Sequence, residues 1–255
     1  GETRPIAVVW IHGLTGRFSE RHAILIGRTL ASRGFTFVTG NNRGHDVGAN
    51  FRTNDGRPKR GGGWWEVYDE AVYDVDAWIT YAAGLGFARV ALIGHSLGAH
   101  KVTWYQSRRQ DPRVAGLIAA SPPMRIPDQD PALVERVRRM VADGRGEELV
   151  MTGNDEGPMS TMSAQTQLSR ATTGMDTFGI RTSDAAIAKI ACPLFIFVGS
   201  EEPGVGTATE LEAARRSARA AARVDTRIFE GANHVYTDCE AEVGAGIADW
   251  VATLE

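Results

Sequence analysis

The chain has only two cysteines, Cys192 and Cys239, in 255 residues. That is too few for a disulfide scaffold, and without a CxxC spacing neither points to zinc or redox chemistry. Both suit small buried side chains. Charge of one sign is equally scarce. A net charge of -3 leaves no basic surplus to neutralise phosphates, so nucleic acid and anionic membranes are not expected partners. Long hydrophobic runs are missing too: the longest, Ile6 to Ile11 and Leu194 to Val198, have strand length, far below the roughly 20 residues needed to cross a bilayer. The start, Gly1 to Pro5, is polar and lacks the charged and apolar regions of a signal peptide. A cytoplasmic location is therefore expected, although a chain that begins with Gly rather than Met leaves room for a removed upstream segment. No His pair stands at helical ligand spacing and no GxGxxG or Walker-type loop occurs, so neither a metal nor a nucleotide cofactor is expected. No repeat, low-complexity tract or linker divides the chain.

What is present is an alternation of short apolar runs with longer helical patterns, the signature of βα units on a mostly parallel sheet. Strands are predicted over 6–11, 35–39, 89–93, 114–119, 194–198 and 225–229. Their near-continuous apolar character implies burial on both faces. Helices are predicted over 20–33, 64–83, 97–109, 207–222 and 240–253. Residues 122–189 interrupt the alternation, because nearly 70 residues separate two strands that neighbouring units join with far fewer. Within them 131–142 has a helix-start proline followed by Leu133, Val134, Val137 and Val141, and 163–171 is a second short helical pattern. The expected organisation is a core of 1–121 and 190–255 with a small helical lid over 122–189.

Chemistry concentrates in a few segments. Gly94-His95-Ser96-Leu97-Gly98 follows the strand RVALI and opens a helix, the strand-turn-helix context of a GxSxG nucleophile elbow. Ser96 is the candidate nucleophile, and its weakly nucleophilic hydroxyl needs a base. His234, in FEGANHVYTD after the last strand, sits at the carboxyl edge of the sheet and follows the serine in chain order, so it is the candidate base. His12, His22, His45, His95 and His100 read as structural, each satisfying local hydrogen bonds. An imidazole in this role needs a carboxylate partner. The loop after LFIFVGS offers Glu201 and Glu202, and the usual spacing beyond the strand-ending glycine favours Glu202. Asp238 and Asp128 are the remaining options, neither at the end of a sheet strand. The oxyanion donors are the backbone N–H groups of Leu97, at the start of its helix, and of Leu14, in the His12-Gly13-Leu14-Thr15-Gly16 loop.

Taken in order, strand-HGLTG, NNRGHD, GHSLG, GSEE and GANH resemble the α/β-hydrolase family over essentially the whole chain. The resemblance implies an α/β-hydrolase fold and an acyl-enzyme mechanism carried by Ser96, His234 and Glu202. Three departures stand out. Asp46 takes a usual glycine position, the acid is Glu rather than the commoner Asp, and the two strands that often lead the fold are missing. The GGGWW loop, with MVADGRGEELV and PMSTMSAQ, is similar to a branch that includes fungal siderophore esterases.

The expected activity is hydrolysis of a small-molecule carboxylic ester, with thioesterase, lactonase, amidase or a non-catalytic ligand-binding role on the same scaffold as alternatives. Dehalogenases of this fold use an Asp nucleophile, so Ser96 argues against them. Trp64, Met124, Met159 and Met162 are candidate substrate-binding residues, since Met fits varied apolar surfaces, although packing explains methionines equally well. Arg57, Lys59 and Arg60 read either as an attractor of acidic substrate or as a solvated loop face.

Overall fold

The structure, a computed structural model, describes residues 4–127, 129–152, 160–173 and 175–255. Its centre is a six-stranded sheet. The strands are β1 (Ile6–Ile11), β2 (Phe37–Thr39), β5 (Arg89–His95), β6 (Val114–Ala120), β9 (Leu194–Gly199) and β10 (Val224–Phe229), while β3 (Ala49–Arg52), β4 (Pro58–Gly61), β7 (Leu149–Thr152) and β8 (Ser160–Ser163) form two antiparallel hairpins outside it. The sheet runs in the order β10-β9-β6-β5-β1-β2 with every pairing parallel.

A strand's side chains alternate between faces, and β1 displays this directly. Ala7, Val9 and Ile11 enter one core, while Ile6, Val8 and Trp10 enter the other. The first core is closed by α2 (Ala71–Gly84), α3 (Leu97–Arg109) and α6 (Ala208–Ser217); the second by α1 (Arg21–Ser32) and α7 (Glu240–Ala252). All six β1 residues are buried, which is why an unbroken apolar run was required there. Because the sheet is parallel, the loops after β1, β5, β9 and β10 gather at one edge, and each carries a candidate site residue.

All six predicted sheet strands are present, and three differences elsewhere have physical causes. The helix expected over 64–83 begins only at Ala71, after a 3₁₀ turn over Tyr68–Glu70. Residues 64–66 instead spend their carbonyls on a neighbouring element: Trp64 O accepts from Ser163 N (2.8 Å), and Trp65 O accepts from Gln165 Nε2 (2.9 Å). The helix expected over 207–222 stops at Ser217, where Ala218 leaves the helical region and Ser217 Oγ turns to donate to Gly179 O. Both hairpins were unanticipated. In the first, Pro58, Lys59 and Arg60 are exposed, so no buried alternation marks it in the sequence.

Between β6 and β9 lie α4 (Pro131–Ala142), the β7–β8 hairpin and α5 (Ala164–Thr173). Asp130 caps α4 by accepting from Ala132 N, with Pro131 at the first helical position. Val137, Met140, Val150 and Ala164 form a small core of their own. Among the described residues, no helix is long and apolar enough to cross a membrane.

Candidate active site

Ser96 joins β5 to α3 with φ 55° and ψ −125°, a positive-φ conformation that costs a non-glycine residue on the order of 1–3 kcal/mol. Close packing holds it there. A Cβ on Gly98 would lie 2.2 Å from Ile11 O, and one on Gly94 would lie 2.2 Å from Gly98 O. The elbow therefore presses against β1 and its loop. Gly13 meets it from the other side, where an added Cβ would sit 2.8 Å from Ser96 Cβ. The two glycines of GHSLG and the first of HGLTG, Gly13, thus serve a single requirement, the approach of two backbones around one serine.

The three chemical groups meet across the sheet edge. His234 Nε2 lies 2.9 Å from Ser96 Oγ, and His234 Nδ1 lies 2.6 Å from Glu202 Oε2. A carboxylate only accepts, so Nδ1 carries the proton and Nε2 is left to accept from the serine hydroxyl. The Glu202 side chain is 3% exposed and that of His234 is 38% exposed. The carboxylate is enclosed while the imidazole opens to solvent.

Glu202 is held by more than the imidazole. Its Oε1 accepts from Gly199 N and from Ser121 Oγ, and Ser121 Oγ in turn accepts from the buried Tyr236 hydroxyl at 2.8 Å. Glu201 contributes only backbone, its N–H donating to Ala232 O (3.0 Å), with its side chain exposed. Asp238 is exposed and pairs with Arg21, and Asp128 lies outside the described residues. Of the carboxylates weighed from the sequence, Glu202 is the one brought to His234.

Beside the nucleophile, the N–H groups of Leu14 and Leu97 have no acceptor among the described residues. That is the state required of donors awaiting an oxyanion. Leu14 and Leu97 also share an apolar cluster with Tyr68, Trp104, Ile126 and Met175. Of the candidate substrate residues, Trp64 lies beside the strand that carries Met162, its carbonyl accepting from Ser163 N at 2.8 Å. Trp64 is half-buried, with its carbonyl bound also to α5. Met124 belongs to another cluster, the main core, its methyl group packed against Gly206. Met162 is buried with Sδ 3.2 Å from Arg170 Nη1, and Met159 lies outside the described residues.

The remaining histidines form the frame. His95, next to the nucleophile, points away from Oγ and donates from Nε2 to the backbone carbonyl of His234 at 2.8 Å. Its ring stacks on Trp10 and lies 4.6 Å from that of His22. His12 donates from Nδ1 to Gly13 O and accepts at Nε2 from Asn42 N, both at 2.9 Å, so it stiffens the loop that carries Leu14. His100 bridges Thr177 and Pro123 O, and His45 bonds Asp46. Asp46 has φ 55°, a conformation that explains why a glycine is usual there and why Asp, which tolerates it, can replace it. Sequence reasoning missed His95, Ser121 and Tyr236 as supports of the base and acid; the only local hint was a histidine adjoining the serine.

Burial depresses the pKa of His12, His22 and His100 to about 4, and that of His95 also falls well below its usual value. In the unfolded chain these groups bind protons near pH 6.5. The unfolded state therefore takes up more protons below pH 6.5, and stability present above that pH is lost as it falls toward 4. Between pH 7.5 and 5.5, three such groups reduce unfolding free energy by about 4 kcal/mol in total. Urea unfolding at the two pH values measures this, and equal stabilities would contradict neutral burial of the three rings.

The fold and site define a class. The sequence model of the Alpha/beta hydrolase family matches residues 8–245, and the chain belongs to that family. Among solved structures it is similar to Est1E from Butyrivibrio proteoclasticus bound to ferulic acid (19% identity, TM-score 0.68, covering 100% of this chain and 90% of that one). It is also similar to a monoacylglycerol lipase of Paleococcus ferrophilus (20%, 0.70, 100% and 97%). A soluble variant of the monoglyceride lipase from Saccharomyces cerevisiae aligns at 14% identity with TM-score 0.63, over 100% of this chain and 88% of that one. At these identities the likeness shows the fold. No curated protein sequence matches the chain significantly.

Proposed function

We propose that the protein is a serine hydrolase that cleaves a carboxylic ester through an acyl-enzyme on Ser96. The observation that carries this reading is the chain of contacts Ser96 Oγ to His234 Nε2 (2.9 Å) and His234 Nδ1 to Glu202 Oε2 (2.6 Å) on a strained elbow. Ser96 Oγ attacks the ester carbonyl as Nε2 takes its proton, and Glu202 stabilises the imidazolium that forms. The oxyanion is met by the N–H groups of Leu14 and Leu97. His234 then returns the proton to the departing alcohol, leaving acyl-Ser96. Water, deprotonated by the same Nε2, releases the acid and restores the serine.

Family membership and the esterases and lipases of the same fold support this reading. Residues 122–189 act in it as a cap. Ile126 and Met175 join Leu14 and Leu97 in one apolar cluster, where the acyl chain of a small ester would pack. The test is a panel of p-nitrophenyl esters and matched thioesters of increasing acyl length. Turnover of the esters well above background is expected, and an absence of turnover on every member of the panel would refute the proposal.

A further inference from the structure

Two strips of α5 are occupied by neighbours. Thr166, Ser169 and Thr173 hydrogen-bond to residues 64–69: Thr166 Oγ1 donates to Glu66 O (2.9 Å), Ser169 Oγ accepts from Tyr68 N (2.8 Å) and Thr173 Oγ1 donates to Asp69 (3.2 Å). Ala164 and Leu168 pack on α4. A third strip carries Gln167 and Arg170, three residues apart and so on one face of the helix.

These two side chains lack ordinary partners. Gln167 is 7% exposed, yet its amide has no hydrogen-bond partner among the described residues. Arg170 is half-buried, forms no ion pair among the described residues, and donates only to the weak acceptor Met162 Sδ. Glu66 is the acid whose charge acts on it, but Glu66 is already engaged by Lys101 Nζ at 2.6 Å, both side chains being nearly inaccessible. Among themselves Glu66, Lys101 and Arg170 carry one net positive charge, while the exposed Asp69 lies against Thr173 nearer the end of the helix. A basic residue in the last turn of α5 suits that helix end, but this does not account for the idle amide beside it. None of the polar atoms of Gln167 and Arg170 is among the fully enclosed unpaired ones, so these donors reach solvent and are open to a ligand that would pair with them.

Through Tyr68, α5 is linked to the residue that follows the nucleophile. Tyr68, bound to Ser169 through its backbone, packs with Leu97, the residue after Ser96, and its own buried hydroxyl has no partner among the described residues. Arg170 also acts electrostatically on Tyr68 and on His100, one helical turn beyond Ser96.

Resting on the esterase reading above, we propose that Gln167 and Arg170 form a subsite for a carboxylate carried by the substrate, so that the natural ester is itself an acid. One surplus positive charge matches one carboxylate, and the planar guanidinium presents paired N–H groups that fit both its oxygens. The Gln167 amide supplies a further donor.

Mono-p-nitrophenyl glutarate and p-nitrophenyl valerate, which share acyl length and leaving group, separate the contribution of the carboxylate. The wild type is expected to favour the glutarate ester in kcat/KM by about 10-fold or more, and Arg170→Met to lose that preference, since a site built for a polar group discriminates strongly against its absence. Calorimetry of glutarate with the wild type supplies a readout independent of turnover, with weak binding expected for glutarate and none for glutaramide. Hydrolysis of valerate with no preference for glutarate overturns the subsite alone, as does a preference that survives in folded Arg170→Met. If neither ester turns over, the esterase reading fails, and glutarate binding by the wild type still decides the subsite. Equal binding of glutarate and glutaramide, or binding of neither, overturns it.

Discussion

Ser96→Ala and His234→Ala are each expected to lower kcat on an activated ester by about 10⁶-fold, with the double variant no slower than either single one. The reason lies in the 2.9 Å contact between Oγ and Nε2. Without the hydroxyl there is no nucleophile, and without the imidazole the hydroxyl keeps its proton. Each loss alone disables the same step, so the effects do not add. Folding should survive both changes. Ser96 is strained at φ 55°, and alanine keeps the same Cβ, while the His234 ring is partly exposed. Steady-state kinetics with unchanged thermal unfolding checks this, whereas multiplicative losses in the double variant would show that the two residues act separately.

Glu202→Gln is expected to cost about 10⁴-fold in kcat, a scale set by the loss of an acid that fixes the base's tautomer. Gln offers an amide N–H as well as an oxygen, and turning the N–H toward His234 would leave Nδ1 as acceptor and Nε2 protonated, unable to take the serine proton. Its other oxygen position accepts from Gly199 N and Ser121 Oγ, which favours an amide oxygen there and places the N–H against the imidazole. Glu201→Gln, altering an exposed side chain whose backbone alone is engaged, should change kcat by less than about 3-fold, as surface substitutions ordinarily do. Kinetics of the two variants side by side decides it, and the reverse ranking would move the acid to Glu201.

The middle of the sheet was readable because β1, β5, β6 and β9 bury both faces and so must be apolar runs, whereas the edge strands β2 and β10 are only partly buried. The hairpins were not, since strands such as Pro58–Gly61 expose most of their residues and leave no period-2 pattern. Ser96 was legible from a motif whose glycines the backbone approach demands, and His234 and Glu202 from chain order and spacing. Their supports were not. Ser121 reaches Glu202 only because β6 lies beside β9, and His95 reaches the His234 carbonyl across the end of the sheet. Those contacts depend on strand order, which no local pattern encodes. Gln167 and Arg170 were passed over for a related reason: polar residues on a short helix look solvated until the structure shows which faces are covered.

The central claim is that Ser96 is an activated nucleophile, and fluorophosphonate labelling followed by peptide mass spectrometry tests it most directly. Folded wild-type protein should take up one equivalent of label on the peptide containing Ser96, and Ser96→Ala should take up none. An unlabelled wild type, or label carried by another residue and retained in Ser96→Ala, would contradict the account.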